Sequence, residues 1–462
     1  QDRVHFVDDG VVQAARGAAP FDEAMAAVFG VANYDVRRWR ADIARAGYDL
    51  ARNAFSTVSP SGDRLQSPAR AASDGPLVDV QLIGPFSRRL GISDSCRALA
   101  AALLAAGRTL RLCDYTLDHP NSARACDDLD LAQPGPARVT ILHLNLEDIP
   151  SAVAYLPDVF TRTRLVGFPY LELSAPEPVH RLGIELVDEI WAASRFIAEA
   201  LAPHAPTRLV GTACKPVRAI GRALARERAY GALAAPGDFV FLTAGDALSG
   251  AHRKNPLGAI AAFRAAFPTD ERVKLVIKTH SRARVGAEAE RVVWDAVAQA
   301  ARDDPRIRFV DRIASDDEMA ALLEGADCLV SLHRAEGFGY HLVEAMTLGT
   351  PVVATAYSGV LDFCTPQTAY LVDYVARPIG AGEYARASTR QTWAEPDLAS
   401  AVAALRAVRN DSARRERVVA AARVTVERDF SSAALSRRVD ARLAEILAGH
   451  AAEAPRASVT PP

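Results

Sequence analysis

The sequence predicts an α/β protein of two Rossmann-like halves, each a parallel sheet wrapped by helices. Three observations carry that prediction. The chain has 462 residues, more than one ordinary core organises, so two domains plus appendages follow. Between 239 and 355, short apolar runs and helical stretches alternate strictly, as in repeated β-α units. Nearer the start, 78–84 has the character of a buried strand, 96–104 of a helix closed by Gly107, and 109–113 of a second strand.

In chain order, residues 1–76 form a helical appendage and linker. Val36, Trp39, Ile43, Tyr48 and Leu50 recur at helical spacing over 34–54, and 56–76 is rich in Ser, Pro, Gly and Ala. The first domain, 77–236, has further strands at 139–144, 164–167 and 189–192, and helices at 147–156, 178–186 and 195–201. Ala235-Pro236-Gly237 marks its end. The second domain, 237–396, places strands at 239–244, 273–278, 307–310, 328–332 and 351–355. Its helices fall at 256–266, 287–302, 315–324 and 340–347. Residues 397–450 form two helices with Arg-rich faces, expected to pack back on the first domain. The Pro-rich end, 451–462, is expected to be disordered.

The balance of 54 basic against 56 acidic residues leaves a formal charge of −2, without the basic excess of a nucleic-acid binder. The six cysteines are scattered and include no C-x-x-C pair, so neither a disulfide framework nor zinc-ligand spacing is present. They fit reduced thiols in a cytoplasmic protein. No apolar run approaches the ~20 residues that span a bilayer, so membrane contact would be peripheral. Asp128-Leu129-Asp130 has the look of a solvated acidic turn rather than a metal site.

The most informative window runs from Ser331 to Met346. A buried strand ends at Leu332, a glycine-flanked turn follows, and a helix begins near Tyr340. In an open α/β sheet the ligand lies beyond the carboxyl ends of the strands. There the amides of Gly337, Phe338 and Gly339 would precede a helix, a place suited to anionic oxygens. Glu336 stands at the strand end and Glu344 inside the helix. Two glutamates eight apart arise by chance; this strand–turn–helix context is what gives the pair weight.

The spacing Glu336-x7-Glu344 within E-G-F-G-Y-H-L-V-E-A-M resembles the E-x7-E signature of retaining glycosyltransferases of the GT-B fold, above all the large family-4 group. Gly349-Thr350-Pro351-Val352-Val353-Ala354-Thr355 and Ser358-Gly359 continue the likeness. So do Arg253-Lys254-Asn255-Pro256 and, in the first domain, Gly91-Ile92-Ser93-Asp94 and His143-Leu144-Asn145. The resemblance spans about 77–430. It implies two domains facing one another across a cleft and transfer of a hexose-type sugar from a nucleoside diphosphate (GDP- or UDP-linked) with retention. It implies no metal and no cofactor beyond the donor. The acceptor implied is a glycan or lipid-linked sugar, in cell-surface polysaccharide or lipopolysaccharide assembly at the cytoplasmic face of the membrane.

By the same resemblance Glu336 would contact donor-sugar hydroxyls and Glu344 the ribose. The amides of Gly337, Phe338 and Gly339 would lie near the sugar and diphosphate. Lys254, with Arg253, would neutralise the leaving diphosphate, and Lys278 would be a second cation. Thr355, Ser358 and Gly359 could reach a phosphate. Gly91 would line the cleft, His143 would stand on the acceptor side, and Glu172 matches a strand-end position in some relatives. The chain departs from the pattern in one place. Many members carry G-R-L before K-G; here the stretch is Gly245-Asp246-Ala247-Leu248-Ser249-Gly250, without that arginine. The loss makes a catalytically silent sugar-nucleotide- or glycan-binding subunit of the same fold the alternative.

Overall fold

The computed structural model describes residues 76–88, 91–115, 128–149, 163–384 and 390–453, with Cys126, Ala152, Ala387, Ser388 and two short strands near the start. Those strands, Tyr48–Asp49 and Ala54–Phe55, pair antiparallel. The helix expected over 34–54 therefore does not reach its predicted end. The rest of the appendage and linker lies outside the described residues, as does most of the helix expected over 147–156 and the tail beyond 453.

Strands Val78–Gly84 (β1), Leu110–Asp114 (β2), Ala137–Leu142 (β3), Arg164–Gly167 (β4), Glu189–Ala192 (β5) and Thr207–Leu209 (β6) form a parallel sheet. Their order is β2-β1-β3-β4-β5-β6. Parallel strands need crossovers, and helices Gly91–Ala105 (α1), Arg181–Leu186 (α2) and Arg195–Leu201 (α3) supply apolar cover. The α3 start is fixed by Ser194, whose hydroxyl accepts from the Ile197 amide.

The second sheet, also parallel, comprises Phe239–Ala244 (β7), Val273–Thr279 (β8), Ile307–Asp311 (β9), Cys328–Ser331 (β10), Val352–Thr355 (β11) and Tyr370–Val372 (β12). Their order is β9-β8-β7-β10-β11-β12. Helix Arg222–Tyr230 (α4), read with the first domain, belongs here: Tyr230 is buried in the second domain's core and its hydroxyl donates to Leu322 O at 2.6 Å. The chain thus leaves the first sheet soon after β6, well before Ala235-Pro236-Gly237. Helices Ala251–Lys254 (α5), Pro256–Ala266 (α6), Glu288–Asp303 (α7), Asp316–Gly325 (α8) and Tyr340–Leu348 (α9) follow. A capping box between Ser315 and Glu318 starts α8.

An antiparallel ribbon of Tyr374–Pro378 (β13) and Thr392–Pro396 (β14) lies beyond the second sheet. Three helices, not two, end the described chain: Leu398–Asn410 (α10), Ser412–Asp429 (α11) and Ser432–Glu453 (α12). Asp397 and Asp411 each cap the helix that follows, which explains the extra break. Only α12 packs on the first domain, through Leu435, Val439, Leu443 and Ile446. The buried residues of α10 and α11 join the second domain's cores. Polar ties reinforce the return of α12: Arg442 Nε donates to Glu189 Oε1 at 2.8 Å and Arg438 Nε to Val210 O at 2.7 Å.

The two passages between domains run side by side, with the Cys214 amide donating to Phe430 O at 2.8 Å. This leaves the carboxyl ends of both sheets facing a common cleft of about 830 Å³. No helix among the described residues is long and apolar enough to cross a membrane. Leu443 is fully buried, so Leu443→Ala should cost about 3 kcal/mol of stability, read as a lower denaturant midpoint. An unchanged midpoint would mean that α12 is not part of the first domain's core.

Candidate active site

The Glu336 carboxylate is the focus of the cleft. It is buried at the end of the loop leaving β10. Lys254 Nζ donates to its Oε1 at 2.5 Å and Arg253 Nη1 to its Oε2 at 3.1 Å. Burial alone would raise the carboxyl; the Lys254 and Arg253 charges more than offset that and hold it well below the usual carboxylate range. Both cations sit on α5, a single turn that sequence patterning does not resolve. Asn255 closes that turn in the left-handed region (φ 53°), and its Nδ2 donates to Leu332 O at 2.9 Å. One asparagine therefore fixes the α5 end against the end of β10.

The two cations differ in freedom. Arg253 also donates to Ala335 O at 2.8 Å and, through Nη2, to Ser249 O at 2.8 Å, and its side chain is 5% exposed. The Lys254 side chain is 23% exposed. Arg253 is thus a fixed brace for Glu336, and Lys254 is the cation that faces the cleft. Burial, together with the Arg253 charge, holds the Lys254 ammonium below the usual lysine range against the pull of Glu336.

Beyond Glu336 the chain turns through Gly337, Phe338 and Gly339 into α9, and all three line the cleft. The Phe338 ring packs on Phe363 and Phe430, which leaves its backbone for the cleft. Gly339 has φ 99°, and a Cβ there would lie 2.8 Å from Val360, so only glycine fits the entrance to α9. Glu344, one face further into α9, is buried. Its Oε2 accepts from His341 Nδ1 at 3.2 Å, and Lys215 Nζ stands 3.5 Å from its Oε1. Oε1 itself makes no hydrogen bond among the described residues, a buried acceptor on a residue that lines the cleft.

The turn after β11 serves this loop from behind rather than a ligand. The Ser358 hydroxyl accepts from the Glu336 amide at 2.8 Å, and the Gly359 amide donates to Glu336 O at 2.9 Å. A Cβ on Gly359 would lie 2.1 Å from Gly337 O, so the two turns touch backbone to backbone. Thr355 is fully buried beneath them. None of Thr355, Ser358 and Gly359 lines the cleft, which corrects the expectation that they reach a phosphate.

His143 is corrected likewise. It is fully buried in the first domain, stacked on Phe168 at 4.4 Å, with Nε2 2.8 Å from Ser95 Oγ. Burial pushes its imidazolium down to about 3, so it is a neutral member of a polar cluster behind the cleft wall. Lys278 lines the cleft, but its Nζ is held by Thr279 O at 2.8 Å and Arg312 O at 2.5 Å. Gly91 opens α1 on the cleft, 3.6 Å from Tyr340 by the position of a Cβ. Asp128 pairs with Arg97 at 2.7 Å, away from the cleft lining.

Sequence reading passed over the groups that join the domains here. Lys215, on the first passage between them, meets Asp94 at 3.1 Å, Asp316 at 3.3 Å and Glu344. Tyr340 Oη lies 2.7 Å from Tyr170 Oη and 2.8 Å from Thr212 Oγ1, and the Ser194 hydroxyl donates to Gly337 O at 2.7 Å. The signal for such contacts is absent from local patterning because every partner is distant in sequence. The nearest pointer in the sequence was Glu172, two residues after Tyr170, matched to a strand-end position in some relatives.

Residues 236–375 match the family model of glycosyl transferases group 1. Most of the second domain is therefore similar to the glycosyl transferases group 1. No curated protein matches the chain in sequence. Sucrose-phosphate synthase from Thermosynechococcus elongatus has the same architecture at 16% identity and a TM-score of 0.58, covering 80% of this chain and 99% of its own. Anabaena HepE in complex with UDP and glucose aligns at 13% identity and 0.56, covering 79% and 99%. The α,α-trehalose 6-phosphate synthase from Burkholderia multivorans aligns at 13% and 0.54, covering 82% and 100%. At these identities the likeness is one of fold, and that fold is GT-B.

Burial, then the Arg312 charge, lowers the Lys278 ammonium to about 8. The unfolded chain releases that proton near about 10.4. Between the two values the folded form binds fewer protons, so stability rises with pH across that window. Lys278→Met should flatten this rise in denaturant melts from pH 8 to 10; an identical rise in both proteins would contradict the assignment.

Proposed function

We propose that the protein is a retaining, metal-independent glycosyltransferase that moves a hexose from a nucleoside diphosphate to a glycan or lipid-linked acceptor. The observation that carries this reading is the buried Glu336 carboxylate held between a fixed arginine and a cleft-facing lysine, with the Gly337–Gly339 turn and Glu344 beside it. Glu336 accepts hydrogen bonds from donor-sugar hydroxyls, and Glu344 Oε1 accepts from the ribose, as acceptor-only carboxylates can. Negative charge grows on the diphosphate as the glycosidic bond breaks. Lys254 meets that charge, in a cleft where low dielectric strengthens the interaction. The departing phosphate oxygen takes the acceptor's hydroxyl proton on the same face, which gives retention without a covalent enzyme intermediate.

Uridine diphosphate is the leaving group this reading favours over guanosine diphosphate, with support from the UDP and glucose in the HepE complex. Cell-surface polysaccharide or lipopolysaccharide synthesis, with peripheral association at the cytoplasmic face of the membrane, is the setting that we attach to it. A silent binding subunit draws on the missing arginine and on the engagement of Arg253, which leaves Lys254 to meet the diphosphate. The two readings part on turnover. Millimolar UDP should raise the melting temperature by several degrees, roughly 1–3 kcal/mol of linkage. With a matched UDP-sugar, E336Q should then lower kcat about 100-fold or more. Stabilisation by UDP without release of UDP from any UDP-hexose would favour the silent subunit; no stabilisation by any nucleoside diphosphate would overturn both.

A further inference from the structure

The ribbon of β13 and β14 reaches across the cleft. At its base, the Ala394 amide donates to Arg334 O at 3.0 Å, two residues before Glu336. Glu395 accepts from Arg334 Nε and from Arg377 Nε, each at 2.7 Å. At its far end the connecting segment is bound to the first domain. Gln391 Nε2 donates to Ala175 O at 2.9 Å, and the Ser388 hydroxyl to Glu177 Oε1 at 2.9 Å. Ile379 and Trp393 are buried in the first domain's core. A segment of the donor-side domain is therefore built into the opposite one.

This placement brings Tyr384 into the cleft lining, where its hydroxyl donates to Glu172 Oε2 at 2.9 Å. The other oxygen, Glu172 Oε1, lies 3.8 Å from Arg253 Nη2. Side chains thus run Glu336, Arg253, Glu172, Tyr384 from the donor carboxylate to the first domain. Asn145, Glu147 and His180 line the same end, with Glu147 Oε2 3.7 Å from His180 Nε2. This end presents the Glu172 carboxylate, with Glu147 and His180 paired beside it. Its arginine is already taken up by Glu336 and backbone carbonyls.

Resting on the sugar-transfer reading, we propose that Tyr384 and Glu172 form the acceptor subsite, and that it takes an uncharged or amino-bearing sugar rather than a sugar phosphate. A carboxylate and a phenol at hydrogen-bond distance are matched to sugar hydroxyls: the carboxylate accepts, and the phenol both accepts and donates. An ammonium on the acceptor gains from Glu172. A phosphate dianion instead meets the like charge of Glu172, and the arginine that would neutralise it is committed to Glu336 and backbone carbonyls. The ribbon makes the subsite a product of both domains, so acceptor recognition and the donor loop share one rigid connection through Arg334.

The test is calorimetry on the full chain saturated with UDP. The probes are the methyl glycosides of glucose, galactose and mannose, glucosamine, and glucose 6-phosphate. At least one unphosphorylated sugar should bind about tenfold or more tighter than glucose 6-phosphate, and Tyr384→Phe should weaken it roughly five- to tenfold. In that variant UDP should bind within about twofold of the original protein. Glucose 6-phosphate binding as tightly as the others would overturn the proposal. So would the failure of every sugar to bind, or unchanged sugar binding in Tyr384→Phe. Loss of UDP-hexose affinity in Tyr384→Phe, with acceptor binding intact, would move the pair to the donor side and equally overturn it. Failure of UDP itself to bind overturns the donor reading beneath.

Discussion

A carboxylate removed from water is unstable as an ion unless cations and hydrogen bonds replace the solvent. Glu336 meets that condition with Lys254 and Arg253, and much of the second domain's local structure follows from it. The one-turn α5 must end where both cations reach the end of β10, and Asn255 in a left-handed conformation fixes that place. The Glu336 backbone must be held while its side chain is pulled forward; Ser358 and Gly359 grip its amide and carbonyl from behind. Ser358 adopts φ 70° to do so, a conformation that costs a non-glycine residue energy. Strain and a buried charge coincide at one point in the chain, which is where function is expected to be.

The same loop is touched by the other domain. Ser194 binds Gly337 O, Tyr170 and Thr212 meet the Tyr340 hydroxyl, and Lys215 stands against Glu344. The cleft is therefore not a gap between two finished bodies. Its floor belongs to the second domain, but the geometry of the turn leading into α9 is shared. The C-terminal crossing of α12 supports this arrangement from outside, since Arg438 reaches Val210 O, close to the first passage between domains.

The architecture was largely legible from sequence because parallel strands buried on both faces leave plain apolar runs. Strands β4, β5 and β7 and helices α3 and α6 fall where patterning placed them. The Glu336 window was legible for another reason: its strand, glycine turn and helix are contiguous. What escaped detection depends on partners far apart in the chain. Helix α4 carries no mark of which domain it packs on; Tyr230 settles that by tertiary contact alone. His143 stands at a strand end, yet the following loop and Phe168 bury it. Ser358 has the right chemistry for phosphate but spends its hydroxyl on Glu336. The ribbon and Tyr384 lie in a stretch whose period-2 pattern is short and interrupted by Pro and Gly, so no strand was expected there.

On the proposed reading the adjacent cations divide the labour: Arg253 braces Glu336, and Lys254 answers the diphosphate. A crystal structure with UDP bound separates the two roles. Arg253 should stay on Ala335 O and Glu336 while Lys254 Nζ moves to within hydrogen-bond distance of a β-phosphate oxygen. A diphosphate bound by Arg253, with Lys254 still on Glu336, would contradict it.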